Sequence, residues 1–176
     1  EPCLKHPNYV IQMNIFFLHL LPLICAQMHV DKHVVKMILE TAQLLCSAHH
    51  MTESEYTPPY KLTHKNHPCA VWTRTSLNNY NWLCKLGLEL CKEYTFRYGK
   101  THKCEAYIRD LAINKPPLPR AGFTPPAQAM PDTYKNPDDV VDAYRQYYFF
   151  EKYPLHTWSK RNVPEWVTEA LDNVGL

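Results

Sequence analysis

The sequence predicts an all-α fold in one compact domain, with about three main helices and long proline-rich loops. Apolar residues recur at helical spacing over two long segments, and no region alternates apolar and polar residues as the strands of a sheet would. The length of 176 residues suits a single domain with a sizeable core. Hydrophobic residues make up 45% of the chain and charged residues 20%, which argues against intrinsic disorder. We assign residues 13–176 to this domain and residues 1–12 to an N-terminal extension.

The first half of the chain is predicted to hold a short extended segment and the first long helix. Residues 14–20 are expected to be extended, because they are mostly apolar and Pro22 closes the segment. Residues 26–48 contain neither Gly nor Pro, and their apolar residues follow a helical period, which predicts one continuous helix. Residues 49–66 are polar and contain two adjacent prolines, so we expect a loop there.

The middle of the chain is predicted to hold a second long helix and a shorter one. The second helix is expected over 68–98, because it opens on a proline and is followed by Gly99, a residue that commonly ends helices. The shorter helix is expected over 102–112. Residues 116–131 contain six prolines in sixteen positions, which predicts a loop that wraps the surface.

The C-terminal part is predicted to hold one further aromatic helix and a last short helix. Residues 136–139 read Asn-Pro-Asp-Asp, which is typical of a helix start. This helix is expected to continue to about Lys152. The last short helix is expected to begin at Pro164.

Composition limits the functional classes. Nineteen Lys and Arg against seventeen Asp and Glu give a net charge of +2, so a basic surface for nucleic acid must be local. Neither GxGxxG nor GxxxxGK[ST] occurs, which disfavours a phosphate-cradling loop. No unbroken run of about 20 apolar residues is present, so we expect no transmembrane helix and no membrane partner. The seven cysteines form no CxxC pair, and we expect buried, reduced thiols in a cytoplasmic protein. Residues 13–27 look like the apolar core of a signal peptide, but His19 and Pro22 interrupt them.

One narrow stripe of the predicted 26–48 helix collects polar and titratable side chains. The stripe consists of His29, His33, Lys36, Glu40 and Gln43, with Lys32 at its edge. It could be a solvated face, and Lys36 and Glu40 could form an ordinary i,i+4 ion pair. It could instead line a cleft, where a carboxylate beside an amine and two imidazoles equips a site for proton transfer or imine chemistry. A third interpretation is a metal site, in which His29 and His33 bind together with a third ligand from His64, His67 or His102.

Three further segments have the composition of a nucleic-acid contact surface. Residues 61–68 precede a helix N-terminus that could bind an anion, and residues 96–103 form a basic patch. Residues 143–161 interleave aromatic and basic side chains, as base stacking and phosphate contact require. The alternatives are a polar loop, cations favoured by a helix dipole, and aromatic core packing. The candidate DNA-binding residues are Lys32, His64, Lys65, His67, Arg74, Arg97, Lys100, Lys103, Tyr144, Arg145, Tyr147, Tyr148, Lys152 and Trp158.

The order of three sequence motifs resembles a known family. The motifs are DKHVVKMILETAQLL at 31–45, then NHPCAVW at 66–72 leading into YNWLCKLGLELCKEYTFRYGK at 80–100, and AYRQYYFFEK at 143–152. In this order they resemble the pyrimidine-dimer DNA glycosylases of the phage endonuclease V type, and especially the uncharacterised phage and bacterial relatives of that group. The motifs together span most of residues 13–152.

The resemblance implies a compact three-helix protein that binds and kinks damaged duplex DNA in a bacterial or phage-infected cell. It would break the glycosidic bond of the 5′ pyrimidine in a cyclobutane dimer. An amine would attack the sugar C1′ to form an imine, and β-elimination would then nick the strand. No metal, no organic cofactor and no obligate protein partner are implied.

The catalytic residues expected from this resemblance lie on the polar stripe. In the family the nucleophile is the α-amine of the processed N-terminus, but here Glu1 stands twelve residues before Met13. We therefore expect a lysine, Lys36 or else Lys32, to supply the amine. Glu40 is assigned as the acid because it is the only glutamate in 26–48, with Asp31 as the fallback. His29 and His33 are expected to assist. Two other functions remain open: a non-catalytic nucleic-acid-binding module, and a metal-dependent nuclease that uses His29 and His33.

Overall fold

A computed structural model describes residues 13–176, so the extension predicted over 1–12 lies outside the described residues. Residues 13–176 form seven α-helices and two short 3-10 helices, with no strand. The all-α prediction is confirmed, but the predicted number of about three main helices is too low. The α-helices are α1 (Pro22–Met28), α2 (Asp31–His50), α3 (Pro68–Thr75), α4 (Leu77–Tyr98), α5 (Glu105–Ile113), α6 (Val140–Glu151) and α7 (Glu165–Asn173). The 3-10 helices are Asp132–Tyr134 and Tyr153–Leu155.

The helix predicted over 26–48 is in fact two helices, α1 and α2. The chain is extended at His29 and Val30, where ψ is 137° and 157°. The N–H of Val30 donates to the hydroxyl of Tyr148, and the N–H of Asp31 donates to the carbonyl of Thr157. These distant partners satisfy backbone groups at the break. No Gly or Pro marks the break, which is why periodicity alone predicted one helix.

The helix predicted over 68–98 is also interrupted, at Ser76. This residue is extended (φ −148°, ψ 157°), and its hydroxyl accepts a hydrogen bond from the N–H of Asn79. Ser76 is therefore the N-cap of α4, a role for which serine is strongly favoured. At the other end, Gly99 adopts a positive φ of 69° and ends α4 as the sequence predicted.

The later elements follow the sequence predictions closely. Residues 116–131 contain no helix, as their prolines predicted. Helix α6 begins at Val140, and its N-cap is Asp139, whose side chain accepts from the N–H of Asp142. Helix α7 begins directly after Pro164.

Helix α4 is the centre of the fold and packs against α1, α2, α3 and α5. Gly87 allows the close approach of two of these neighbours. A Cβ added at Gly87 would lie 2.9 Å from Cγ2 of Thr41 on α2 and 3.1 Å from Cγ2 of Ile108 on α5. The extended segment 13–18 is buried in the same core.

The cysteines of the described part are buried and unpaired, which confirms the expected burial of the thiols. They are Cys25, Cys46, Cys69, Cys84, Cys91 and Cys104. No helix among residues 13–176 is both long and apolar enough to cross a membrane.

Candidate functional site

Glu40 is a buried carboxyl group in the middle of α2. Glu40 is only 4% exposed, and neither of its carboxyl oxygens has a hydrogen-bond partner among residues 13–176. Burial raises the pKa of Glu40 from 4.5 to about 7, although the positive charges of Lys36 and Lys152 lower it. A carboxyl group with a pKa near neutrality can both donate and accept a proton at physiological pH. Perturbed carboxyl groups of this kind are concentrated at functional sites.

Two lysines flank Glu40. Lys36 lies one turn earlier on α2 and is exposed, whereas Lys152 directly follows α6 and places its Nζ 5.2 Å from the centre of the Tyr147 ring. Within the described part of the chain, neither lysine forms an ion pair with a carboxylate. The ordinary ion pair considered for Lys36 and Glu40 is therefore not formed. The structure brings together an unpaired acid and two unpaired amines.

His33 stands beside this group as a neutral hydrogen-bond donor. The hydroxyl of Tyr148 accepts from the N–H of Val30 at 2.9 Å and lies 2.9 Å from Nδ1 of His33. Nδ1 is the acceptor that the described residues offer to the buried hydroxyl proton, so we assign this proton to the bond with His33. This arrangement leaves the ring proton of His33 on Nε2. Burial, helped by the positive charges of Lys36 and Lys152, lowers the pKa of His33 to about 2. The ring also stacks on Phe16, with centroids 4.7 Å apart and planes 8° apart.

His29 is displaced from the predicted stripe because α2 begins two residues later. It is fully buried, and its Nδ1 lies 2.7 Å from the carbonyl oxygen of Cys25, to which it donates. Its Nε2 has no hydrogen-bond partner among the described residues. Burial lowers the pKa of His29 to about 4, so this ring is neutral at physiological pH.

The polar stripe is thus largely enclosed. His33 and Glu40 are buried, Gln43 is half-buried, and Lys32 and Lys36 are exposed. The alternative of a solvated face is therefore wrong for His33 and Glu40.

The metal interpretation finds no ligand set in the described part of the chain. No group of three or more His, Cys, Asp or Glu side chains converges there as metal ligands would. The candidate third ligands are used otherwise: Nδ1 of His67 accepts from the N–H of Cys69, and Nδ1 of His102 accepts from the N–H of Cys104. His64 is exposed on the loop before α3. We therefore do not propose a metal-dependent nuclease.

Asp31 and Arg97 belong to a buried ionic network away from Glu40. Nη1 of Arg97 lies 3.1 Å from Oδ1 of Asp31, and Nε of Arg97 lies 2.9 Å from Oε2 of Glu93. Arg97 also donates to two backbone carbonyls, and its side chain is fully buried. Asp31 in addition accepts from the backbone N–H and the hydroxyl of Ser159. Both residues therefore hold α2, α4 and the C-terminal segment together. This placement removes Arg97 from the DNA-contact set and Asp31 from the candidate acids.

The other basic candidates divide by exposure. The exposed ones are Lys32, His64, Lys65, Lys100 and Lys103. Arg74 is half-buried and donates to the carbonyl of Lys65 at 2.7 Å. Arg145 is half-buried as well, donates to the carbonyl of Leu18 and lies 5.6 Å from the centre of the Trp166 ring.

Most of the candidate stacking residues are core residues. Tyr144, Tyr147, Tyr148 and Trp158 are each at most 8% exposed. The hydroxyl of Tyr144 donates to the carbonyl of Ala127, and Nε1 of Trp158 donates to the carbonyl of Met28. Their rings therefore cannot stack on bases in this conformation, and core packing explains them.

The structure points instead to two aromatic residues that were left out of the candidate set. Phe150, near the end of α6, is 51% exposed, and Tyr153 is 53% exposed just after it. Phe150 lies two residues before Lys152 in the sequence, and Tyr153 directly follows it. The sequence alone does not distinguish these two rings from the buried ones. They can be recognised only when the buried face of α6 is known. Phe16 was also missed, because nothing in an apolar segment marks the ring that will stack on His33.

The chain matches no family model, no curated protein and no solved structure.

Proposed function

We propose that this protein is a DNA repair glycosylase with abasic-site lyase activity, acting on pyrimidine dimers in duplex DNA through an imine intermediate. The observation that supports the proposal best is the carboxyl group of Glu40, which is buried, unpartnered within residues 13–176 and raised in pKa to about 7. Two lysines without ion pairs flank it. An acid and an amine held side by side are what imine chemistry on a sugar requires.

In the first step the carboxylate of Glu40 takes a proton from the ammonium group of Lys36, and the neutral amine that results attacks C1′ of the damaged nucleotide. The C1′–N bond breaks and its electron pair leaves with the base, which takes up the proton that the attacking nitrogen releases. Lys36 is the candidate nucleophile because it is exposed one turn from Glu40. In its protonated form, Glu40 then gives its proton to O4′ as the C1′–O4′ bond breaks, which opens the sugar and leaves a protonated imine on the lysine.

In the second step the imine serves as the electron sink. A base removes a proton from C2′, and the 3′ phosphate leaves with the electron pair of its C–O bond, which nicks the strand. Glu40 has by then given up its proton, so it can be the group that removes this one. Nε2–H of His33 remains a hydrogen-bond donor throughout, because the ring is neutral and its tautomer is set by Tyr148.

The proposed DNA contacts are the exposed members of the candidate set. Phosphates would be held by Lys32, Lys65, Lys100 and Lys103, and exposed bases would stack on Phe150 and Tyr153. Unpairing a damaged site costs only a few kcal/mol, and less than unpairing intact DNA, which favours lesions over undamaged sequence.

The test uses two labelled duplexes, one with a single cyclobutane thymine dimer and one with an abasic site, each incubated with and without borohydride. We expect a trapped covalent adduct and a strand nick with the unaltered protein. Lys36→Ala should abolish the adduct. Lys92→Ala, which removes an exposed lysine of α4, is the matched control and should leave the adduct unchanged. Glu40→Gln should slow product formation while retaining DNA binding.

Mapping the residue attached to DNA identifies the amine. Attachment at Lys36 supports the mechanism as written, whereas attachment at Lys152 or at the N-terminal amine refutes the assignment of the nucleophile. An adduct with the abasic duplex alone would refute the choice of lesion. Salt-dependent DNA binding without adduct or nick, unchanged in Glu40→Gln, would refute the enzyme and favour a non-catalytic binding module.

A further inference from the structure

A pocket lies on α4 and shares no residue with the Glu40 site. It has a volume of about 370 Å³ and is lined by Leu20, Asn78, Asn81, Trp82, Lys85 and Phe123. Four of these residues follow one another at positions i, i+3, i+4 and i+7 of α4, so they form a single stripe of the helix. Leu20 and Phe123 come from the segments that precede α1 and follow α5. The volume is within the range of small-molecule sites.

The aromatic wall of this pocket is held in place by the core. The ring of Trp82 stacks on Phe17 with centroids 4.8 Å apart, and its Nε1 donates to the carbonyl of Leu20 at 2.8 Å. Phe123 lies 5.9 Å from Trp82 and is 41% exposed. The wall therefore offers exposed aromatic surface that is already ordered, onto which a flat ring can stack at little cost in conformational entropy.

The polar feature of the pocket is the carboxamide of Asn81. Its Oδ1 is buried, and it has no hydrogen-bond partner in the described part of the protein. Asn79, two residues earlier, shows the contrast, since its amide donates to Trp72 and Thr124 and accepts from the N–H of Thr124. A buried amide oxygen without a donor is costly. The carboxamide recovers this cost if it turns towards the pocket and accepts from an N–H group of a ligand there.

We propose that this pocket binds the adenine base of a nucleotide. A carboxamide places an acceptor and a donor side by side, and adenine matches it with N6–H and N7. The base would stack on the aromatic wall formed by Trp82 and Phe123. Lys85, one turn beyond Asn81 on the same stripe, is exposed and lines the pocket. Its ammonium group is the proposed contact for the phosphate. When the base binds through its N7 edge, guanine presents two acceptors, O6 and N7, where adenine presents a donor and an acceptor. Guanine held by this edge therefore leaves Oδ1 unpaired.

The test measures binding of AMP, GMP, adenosine and inorganic phosphate to the full chain by isothermal titration calorimetry. We expect saturable AMP binding that is about tenfold tighter than GMP binding, the discrimination that one bidentate base contact gives. Asn81→Ala should remove the preference for AMP. Asn173→Ala, an exposed asparagine of α7, is the matched control. Lys85→Ala should weaken binding of AMP but not of adenosine, and it keeps the test valid if Asn81→Ala folds poorly.

Two single-stranded oligonucleotides, oligo(dA) and oligo(dT), distinguish the source of the base. If AMP binds and Asn81→Ala weakens this binding, the ligand is a free nucleotide. If oligo(dA) binds, AMP does not, and Asn81→Ala weakens the binding of oligo(dA), the ligand is a base within a strand. The proposal is overturned if no adenine compound binds, if AMP and GMP bind equally, if phosphate competes as well as AMP, or if Asn81→Ala binds AMP as before. Glu40→Gln should bind AMP normally, so this result is separate from the proposed repair activity.

Discussion

Replacing Glu40 by Gln should make the protein more stable, and increasingly so as the pH rises. Gln has nearly the same shape as Glu but cannot ionise. The unaltered protein must either ionise a buried carboxyl group or keep it protonated, and above neutrality both options cost free energy. The variant does not have this cost.

The magnitude follows from the pKa of Glu40. Below pH 4.5 the carboxyl group is protonated in both the folded and the unfolded chain, so it contributes no pH dependence. Between pH 4.5 and about 7 only the unfolded chain ionises, so unfolding releases a proton and the free energy of unfolding falls as the pH rises. Above pH 7 the loss is complete at about 3 kcal/mol, since each unit of pKa is worth about 1.4 kcal/mol.

Urea unfolding of both proteins at pH 5 and pH 8 tests this prediction. The difference in the free energy of unfolding between Glu40→Gln and the unaltered chain should grow by about 2.5 kcal/mol over this range. Other titrating groups are common to both proteins and cancel. Glu53→Gln, at an exposed position in the turn after α2, is the matched control and should show no such growth. A difference that stays constant from pH 5 to pH 8 would refute the reasoning about Glu40.

Three further substitutions test the packing around the site. Arg97→Ala should lower the free energy of unfolding, measured in urea, by about 3–5 kcal/mol, because it leaves buried carboxylates without their cationic partner. A loss below about 1 kcal/mol would mean that solvent replaces these contacts. Tyr148→Phe should cost about 1–3 kcal/mol and release the fixed tautomer of His33, so unchanged ¹⁵N shifts of that ring would contradict the assignment. Gly87→Ala should lower thermal stability by about 1–3 kcal/mol, because the added methyl group meets Thr41 at 2.9 Å; a stabilised variant would show that the helices can separate.

The helical class and the helix ends marked by proline or glycine could be predicted from the sequence because they depend on local signals. Gly99 ends α4, and Pro164 directly precedes α7, as expected from their backbone preferences. The break between α1 and α2 could not be predicted, because it is stabilised by Tyr148 and Thr157, which lie more than a hundred residues away. The periodicity of apolar residues indicates which residues face the core. It does not indicate where a group distant in sequence replaces a hydrogen bond of the helix.

The candidate site was predicted in part, for a related reason. The stripe identified Glu40, Lys36 and His33 from their spacing on one helix, which is local information. The aromatic segment was harder, because a stripe of tyrosines has the same spacing whether it packs in a core or faces a nucleic acid. Only the position of α6 shows that Tyr144 and Tyr148 are buried.

Three carboxyl groups of α2 and α4 differ in whether they have a cationic partner. Asp31 and Glu93 both have cationic partners, Arg97 for the first and Arg97 with Arg161 for the second, as carboxylates with a purely structural role require. Glu40 is as enclosed as Glu93 and more enclosed than Asp31, but it has no partner among residues 13–176, while a lysine one turn away remains unpaired. Its cost of about 3 kcal/mol is a large part of the roughly 5–15 kcal/mol that keeps a domain folded. Packing gains nothing from such a group, and perturbed carboxyl groups are concentrated at functional sites, so Glu40 is the residue on which the proposed catalytic role should be tested first.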